Sequence, residues 1–525
     1  MVFSSLEFLF FFLPIVLLLY YVVPYKIKNI VLLVASLIFY AWGEPVYVFL
    51  MIFSSLMGFI FGKAIDKSSS ETGKKILLFL SVFVNIAILG FFKYADFAIS
   101  IINQCLGTSI NELELSLPIG ISFFTFQIMS YVIDVYRGTA HVQNNPLTLM
   151  TYVSMFPQLI AGPIVRYETV ERELKTRTIN YEGFKKGTIR FLIGLFKKVL
   201  IANNIGQLWD YINNSNFEEI SVSTAWLGAV AFSIQLYFDF SGYGDMAIGM
   251  GKMLGFNFNE NFNYPYISKS ITEFWRRWHI SLSTWFRDYV YIPLGGNRCS
   301  RLRHIFNILV VWTLTGLWHG ASWNFVFWGA YYGVLLVLEK YVWGKYLDKL
   351  PRVLKHIYTL FIVVVGFTIF TFDDLSKLKD YLGVMFGLNG MPLMDNDFKF
   401  YCVNYGILLI SAIIFATPIY PKVKEYANSS THRTAYSVFG GVVFCFLFIL
   451  CVSYLVNASY NPFLKHVAQI VFYCLQKYFL KENGQINMYL HLTYNLRLLY
   501  RPNLTLENLP DFYFQFQKKN FLATQ

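Results

Sequence analysis

Charged residues are scarce in this sequence of 525 residues: Asp, Glu, Lys and Arg make up 14% of it, against about 25% in soluble domains. The six cysteines show neither a CxxC pair nor another metal-ligand spacing, so the sequence predicts no metal or redox centre. It also lacks a GxSxG elbow, a P-loop and an HExxH motif, which argues against the hydrolase, nucleotide-binding and zinc-protease classes that carry them. These absences exclude a large soluble enzyme.

Hydrophobic residues, by contrast, make up 56% of the chain, and aromatic residues account for 19% of it. A helix needs roughly 20 apolar residues to cross the hydrocarbon core of a bilayer. The sequence therefore predicts an all-α integral membrane protein with about eleven transmembrane helices, plus re-entrant or interfacial helices where Gly, Pro and polar residues interrupt the runs. The apolar runs lie near residues 7–23, 29–43, 45–62, 76–92, 118–136, 224–250, 304–319, 323–343, 354–372, 401–419 and 435–456.

The basic loops predict how the chain is oriented in the cytoplasmic membrane. The first run has no basic region before it and no small-residue cleavage site after it, so we interpret it as a retained anchor. Basic residues such as Lys26, Lys74 and Arg137 follow the first, third and fifth runs. Because cytoplasmic loops carry the excess of Lys and Arg, the N-terminus is predicted outside and residues 263–303 inside. The net charge of +12 then reflects loops that face anionic lipid, and no nucleic-acid partner is predicted.

The composition changes once along the chain. Residues 1–456 are predicted to form one polytopic membrane unit, whose densest polar signature, at residues 223–345, marks a catalytic core. Residues 457–525 are predicted to form an amphipathic C-terminal extension, which carries the sequence FYFQF at Phe512–Phe516. No internal repeat stands out, although repeats are common in transporters.

Two histidines lie in unusual surroundings. His279 occurs in FWRRWHISLSTWFRDYVYIPLGG, and His319 follows the apolar run Val310–Leu317 in LTGLWHGASWNFVFWG. Ionisable groups in apolar spans are costly and usually functional, and histidine can take and return a proton near neutral pH. A neutral imidazole could remove a proton from an attacking hydroxyl or thiol. The structural alternative for His319 is a core histidine that donates to a carbonyl.

Helical periodicity from Trp275 to Tyr289 predicts one continuous amphipathic helix at the membrane interface. Its flank would present two guanidiniums and one imidazole together, which suits an anionic donor with phosphates. A basic helix that only anchors the protein to the membrane explains the same pattern. The apolar stripe comprises Trp275, Trp278, Leu282, Trp285 and Tyr289, the flank Arg276, His279, Ser283 and Arg287, and the opposite face Arg277, Ser281, Thr284 and Asp288.

A third cluster combines carboxylates with glycines in YFDFSGYGDMAIGMGKMLGF. Asp239, Ser241 and Asp245 could orient a histidine, neutralise an arginine or form a structural pair, because buried carboxylates usually have partners. The glycines favour close packing between helices. They are Gly242, Gly244, Gly249 and Gly251.

These motifs resemble the membrane-bound O-acyltransferase family, in its bacterial branch of alginate-type and peptidoglycan-type O-acetyltransferases. The resemblance is carried by MVFSSLEFLFFFLPI, LLVASLIFYAW, FPQLIAGPIVRY and FDFSGYGDMAIG, and above all by the two histidine segments. It implies a multi-spanning fold around a central funnel, with an acyl donor that approaches from the cytoplasm. It also implies that His319 is the catalytic histidine and that His279 is the second histidine of the bacterial branch.

The resemblance further implies a relay. An acetyl group would cross to the outer face, where an esterase-like partner acetylates a polysaccharide. Tyr513 is similar to an acyl-carrying tyrosine of this branch, but here nearly fifty residues separate its motif from Ser459–Phe463, which the motif normally follows closely. An interfacial anchor is the structural alternative for this tyrosine.

The predicted function is a membrane O-acetyltransferase that passes acetyl from acetyl-CoA towards an extracytoplasmic glycan, with His319 as base and His279 assisting. No bound cofactor is predicted. One alternative is a D-alanyl transferase for teichoic acid, and another, of a different class, is a lipid-linked glycan transporter with a histidine proton relay. In the predicted site Trp318 and Trp323 shape a dry tunnel, and Asn324 is a further substrate-binding residue. Arg276, Arg277 and Arg287 attract or hold the donor, and Asp239, Ser241, Asp245 and Asp288 support these residues.

Overall fold

The computed structural model describes residues 1–160, 162–430 and 433–457, and every regular element in these ranges is helical. The predicted all-α class is confirmed. The α-helices of the first half are α1 (Leu13–Val22), α2 (Lys28–Gly43), α3 (Tyr47–Lys67), α4 (Glu71–Leu106), α5 (Ile121–Arg137), α6 (Pro146–Ser154), α7 (Phe156–Leu159), α8 (Tyr167–Lys175), α9 (Tyr181–Phe196) and α10 (Asn203–Asn213).

The second half begins with a long helix that follows the side-chain cap of Ser221, whose Oγ accepts from Thr224 N–H. Its α-helices are α11 (Val222–Met253), α12 (Ile271–Arg277), α13 (Ile280–Phe286), α14 (Arg301–His319), α15 (Trp323–Leu338), α16 (Gly344–Leu347), α17 (Arg352–Thr371), α18 (Leu375–Met385), α19 (Asn396–Phe415), α20 (Ile419–Ser429) and α21 (Arg433–Asn457). Shorter π-helical segments span Phe8–Phe12, Lys197–Ala202, Arg287–Tyr291 and Glu339–Trp343, and 3-10 turns span Tyr25–Ile27 and Pro265–Ile267.

Seven helices among the described residues are long and apolar enough to cross a membrane. Each of the eleven predicted runs contains helix, but the predicted number of about eleven transmembrane helices is not confirmed, and the orientation of the N-terminus stays a prediction. The seven candidate spans are Tyr25–Gly43, Tyr47–Lys67, Glu71–Leu106, Trp323–Leu347, Arg352–Thr371, Asn396–Phe415 and Thr434–Asn457.

Helices α9 and α11 pack backbone against backbone. A Cβ at Gly194 would lie 2.4 Å from the carbonyl oxygen of Gly242, and a Cβ at Gly187 would lie 2.5 Å from that of Gly249. Small residues allow helices to approach this closely, so the predicted packing role is confirmed for Gly242 and Gly249. Gly244 has no atom within 4 Å of its Cβ position.

A second close crossing fixes the end of α14. A Cβ at Gly316 would lie 2.3 Å from the carbonyl oxygen of Phe325 on α15, and one at Gly329 would lie 2.5 Å from that of Trp312. Just beyond His319, a Cβ at Gly320 would overlap the Phe325 ring at 2.0 Å. Only glycine fits at these positions without displacing α15. The last turn of α14 is thereby held against α15.

The division between residues 1–456 and 457–525 stays a prediction. Nearly all of the extension, including Tyr513 and the FYFQF sequence, lies outside the described residues.

Candidate functional site

The chain breaks its helix at His279, so the predicted continuous amphipathic helix is wrong. Between α12 and α13 the backbone of His279 has φ 45° and ψ 53°, a left-handed conformation that is uncommon for a residue other than glycine. The Ile280 N–H donates to the Asn261 carbonyl at 2.9 Å. The Asn261 side-chain oxygen also accepts from the backbone N–H and the hydroxyl of Ser281 at 3.1 and 2.9 Å. These long-range bonds replace the missing helical ones.

The break buries His279. Its side chain is 2% exposed, and neither ring nitrogen has a hydrogen-bond partner among the described residues. The ring meets Phe240 of α11 edge-on, with centroids 4.8 Å apart, and meets Trp318 edge-on at 5.9 Å. A buried polar group without a partner costs about 1–3 kcal/mol. His279 therefore packs inside the protein, and its depth in the membrane stays a prediction.

His319 is the last residue of α14 and is half-buried. Its ring meets Trp318, Trp328 and Phe370 edge-on, each with centroids 5.1 Å apart. The Phe325 ring stacks on it at 6.4 Å. The His319 imidazole is therefore packed among aromatic rings but remains partly exposed.

The structure brings the two histidines together across one side chain. Trp318 is 8% exposed, and its ring contacts both His279 and His319. We refer to His279, Trp318 and His319 as the histidine site. Three elements meet here, because α11 supplies Phe240, the α12–α13 break supplies His279, and α14 supplies Trp318 and His319. The sequence predicted these three residues as functional but not their contact.

The two other uncharged residues predicted to bind substrate, Trp323 and Asn324, lie in different settings. Asn324 is fully buried, and its side-chain amide donates to the Phe370 carbonyl at 2.9 Å, which ties α15 to the residue that packs on His319. Trp323 is 41% exposed and packs against Phe97 at 5.6 Å. The structure therefore joins Asn324 to the surroundings of His319, whereas the ring contacts of Trp323 lie elsewhere.

Lys93 was missed by the sequence reasoning. Its ammonium group donates to the Trp318 carbonyl and, at 3.3 Å, to the Ser122 hydroxyl. It lies 5.7 Å from the centroid of the Trp318 ring. The neighbouring Tyr94 hydroxyl donates to the Leu317 carbonyl. A lone lysine in the apolar stretch LGFFKYADF is the signal that could have identified it.

The predicted carboxylates pair with cations. Asp239 lies 2.7 Å from Lys198, and Asp245 lies 2.8 Å from Lys197 and 2.6 Å from Arg190. We refer to these five residues as the charge seam. Of the roles open to the carboxylates, neutralising cations agrees with these contacts. Ser241 lies near them on α11, and its side chain is buried.

The predicted donor-binding arginines differ in their partners. Arg276 is exposed, Arg277 pairs with Glu273 at 3.0 Å, and Arg287 pairs with Asp288 at 2.6 Å. Because α12 ends between them, Arg276 and Arg287 do not share one helix flank. The predicted flank, on which the Arg276 and Arg287 guanidiniums would lie beside the His279 imidazole, is therefore not formed on one helix.

Asp288 also receives a second arginine that the sequence reasoning did not select. Arg166 lies 2.6 Å from its carboxylate, and its guanidinium covers the Tyr289 ring at 5.1 Å. Burial acts to raise the pKa of Asp288, but the hydrogen bonds from Arg287 and Arg166 outweigh it and hold that pKa below its usual range. Asp288 is thus an ionised carboxylate that organises two arginines.

The arrangement suits proton transfer by an imidazole. His319 is only half-buried, so a reacting group can reach it, and the aromatic rings around it lower the local dielectric constant, which strengthens electrostatic interactions. Within the described ranges no group of three or more His, Cys, Asp and Glu residues is placed to hold a metal ion. The chemistry available from these side chains is general acid–base catalysis.

Comparison with known proteins shows which family this chain is similar to. The sequence model of the membrane-bound O-acyltransferase family matches residues 139–375, which include both histidines and the charge seam. A probable alginate O-acetylase of Azotobacter vinelandii is 40% identical over 437 residues, covering 82% of this chain and 87% of that protein.

Two further relatives carry other names. A peptidoglycan O-acetyltransferase of Helicobacter pylori is 35% identical over 75% of this chain and 81% of its own length. A teichoic acid D-alanyltransferase of Bacillus subtilis is 30% identical over 48% of this chain and 68% of its own length. The relatives that match most of the chain and the family model indicate the same family. This chain belongs to the membrane-bound O-acyltransferase family and is an acyltransferase.

Proposed function

We propose that this protein takes acetyl from cytoplasmic acetyl-CoA and passes it across the membrane for O-acetylation of an extracytoplasmic polysaccharide, either an alginate-like exopolysaccharide or peptidoglycan. The names of the relatives that match most of the chain support an acetyl group and a glycan acceptor. The observation that carries the proposal is the histidine site, where two predicted functional histidines contact the same tryptophan.

In the proposed reaction His319 is the catalytic base. One ring nitrogen removes the proton of the acceptor hydroxyl, whose oxygen attacks the carbonyl carbon of the thioester. The bond between that carbon and the sulfur breaks, and the leaving thiolate takes the proton from the imidazolium. The new ester holds the acetyl group, and His319 returns to its neutral form. A positioned base of this kind contributes about 10²–10⁴-fold to the rate.

His279 is proposed to assist from the other side of Trp318. Its two ring nitrogens have no partner among the described residues, so they are free to bind a substrate group. Such a contact would satisfy a polar group whose burial otherwise costs free energy. This explains why an unfavourable backbone conformation is kept at this residue.

Arginines are proposed to attract the donor on the side of residues 263–303. Arg276 is exposed, and Arg166 and Arg287 are held in place by Asp288. A guanidinium can bind phosphate oxygens in a bidentate manner, and local positive charge raises the encounter rate of an anionic donor. The acetyl group would then pass to an esterase-like partner outside the membrane. Tyr513 is kept as a proposed acyl carrier.

Turnover by purified protein tests the proposal. The release of free CoA from acetyl-CoA is measured in lipid nanodiscs, with the presumed partner present, for the wild type and for His319→Ala. The proposal expects thiol release from the wild type and its loss in the variant. Equal release from both proteins would remove His319 from the mechanism.

His141 offers a matched control, because its side chain is 87% exposed and contacts Glu171 away from the histidine site. His141→Ala should release CoA at the wild-type rate. A D-alanyl carrier protein serves as the alternative donor, since two D-alanyltransferases match less than half of this chain. Turnover with this donor alone would favour the D-alanyl alternative. Membership of an acyltransferase family argues against the transporter.

A further inference from the structure

Helix α14 ends at His319, and its last carbonyls receive donors from another helix. The final four carbonyls of an α-helix have no partner within the helix. Here Tyr94 donates to the Leu317 carbonyl and Lys93 donates to the Trp318 carbonyl. Two consecutive residues of α4 therefore satisfy the two carbonyls that come directly before His319.

The charge of Lys93 also matches its position. An ammonium group in an apolar helix is costly, and its hydrogen-bond partners are a carbonyl and a hydroxyl rather than a carboxylate. A cation at the C-terminal end of a helix is stabilised by the partial negative charge there. The Trp318 ring, 5.7 Å away, adds a cation–π contact. The hydrogen bond to the carbonyl and the cation–π contact both involve Trp318, the residue that contacts the two histidines.

We propose that Lys93 is a positioning residue for acyl transfer: by holding the Trp318 carbonyl it fixes where α14 ends and thus the placement of the His319 ring. This inference rests on the proposed function of His319. Without the ammonium group the last turn of α14 would lose a charge-assisted hydrogen bond, which is a strong one. His319 would then shift against Trp328 and Phe370, and misplacement by 1 Å can cost a factor of roughly 10² in rate.

The chain provides a matched control in Lys28. This lysine is 8% exposed and donates to the Tyr20 carbonyl near the end of α1, so it is another lysine that binds the end of a helix. Its ammonium group contacts Tyr20 and Tyr21 rather than the histidine site. Lys28→Met therefore measures the general cost of removing such a lysine.

The experiment compares Lys93→Met, Lys93→Gln, Lys93→Arg and Lys28→Met in nanodiscs. CoA release gives kcat and KM, and mass spectrometry gives the rate at which diethyl pyrocarbonate modifies His319. For Lys93→Met, kcat should fall at least about tenfold at nearly constant KM, and the modification rate of His319 should change. Lys93→Gln keeps a hydrogen-bond donor, so its kcat should lie between those of Lys93→Met and the wild type. Lys93→Arg should restore most of kcat. Lys28→Met should match the wild type in both measurements.

The proposal is overturned if Lys93→Met retains the wild-type kcat and the wild-type modification rate, or if Lys28→Met loses as much as Lys93→Met. If the wild type releases no CoA, the proposed function fails, but the modification rates still decide whether Lys93 positions His319. If Lys93→Met does not accumulate in the membrane, Tyr94→Phe replaces it. This variant removes only the hydroxyl that binds the Leu317 carbonyl, and an unchanged modification rate in it would count against the proposal.

Discussion

The charge seam and the histidine site are both polar clusters among apolar helices, but they differ in whether their polar groups have partners. In the charge seam each carboxylate lies within 2.8 Å of a cation. In the histidine site both ring nitrogens of His279 are buried without a partner, and aromatic rings surround His319. The buried charges of the seam are therefore paired, whereas the His279 nitrogens have no partner among the described residues and the His319 ring stays half-buried.

This difference predicts that the charge seam contributes mainly to stability and the histidine site mainly to activity. Removing one partner of a buried ion pair leaves a charge without compensation and destabilises the fold. Removing a ring that has no hydrogen bond leaves nothing unpaired. Variants in the charge seam should therefore lower stability, whereas variants in the histidine site should lower activity while the protein remains folded.

The largest effect is expected for His319→Ala. Loss of the proposed base should lower kcat by about 10²–10⁴-fold, while the amount of protein in the membrane and its unfolding temperature stay close to those of the wild type. Quantitative immunoblotting and thermal unfolding in detergent check the second expectation. Unfolding of this variant at a much lower temperature would mean that the histidine site is structural, and the contrast with the charge seam would disappear.

Asp239→Asn should have the next largest effect, on stability. Lys198 is 2% exposed and would lose its counter-charge, which should cost about 3 kcal/mol or more of unfolding free energy. The pair Asp239→Leu and Lys198→Met removes both charges and should recover most of this loss, because an apolar pair can replace a buried ion pair. Chemical denaturation in micelles measures both. A double variant less stable than Asp239→Asn would contradict this account.

His279→Asn should act on activity with little effect on stability. Asparagine tolerates the left-handed backbone better than most residues, but it cannot replace the imidazole. We expect kcat to fall roughly tenfold or more and the unfolding temperature to change little.

His304→Asn is the matched comparison for His279→Asn. The His304 ring is also buried, but its nitrogens bind the hydroxyls of Tyr291 and Tyr341. This variant should lose stability because two tyrosines lose a partner. If His279→Asn is the less stable of the two, the distinction between bonded and unbonded histidines is wrong.

The smallest effect is expected at Arg276, which is exposed. Arg276→Ala should raise KM for the anionic donor about twofold at low salt and leave kcat unchanged, because an exposed charge mainly assists encounter and is screened by ions. Titration of acetyl-CoA at two ionic strengths checks this. A lower kcat at saturating donor would give Arg276 a role in the reaction itself.

The sequence predicted the helical class, the two histidine segments and the close packing at Gly242 and Gly249. It could not predict the break at His279, because the sequence there has neither Gly nor Pro and the break depends on hydrogen bonds to Asn261, a distant residue in the chain. The partner of Asp239 was equally hidden, since it depends on how the π-helical segment Lys197–Ala202, which carries Lys198, packs against α11. Lys93 lay one residue beyond a predicted span, and only the structure connects it to Trp318.

The left-handed backbone at His279 also has an evolutionary consequence. Glycine adopts this conformation at least steric cost, so selection for folding alone should favour His279→Gly, whereas selection for activity should retain the imidazole. In a library of variants at this one position, survival under heat and survival under a requirement for the acetylated product would rank the amino acids differently. If His279 has its proposed role, the best residue for the fold and the best residue for the enzyme differ at this position.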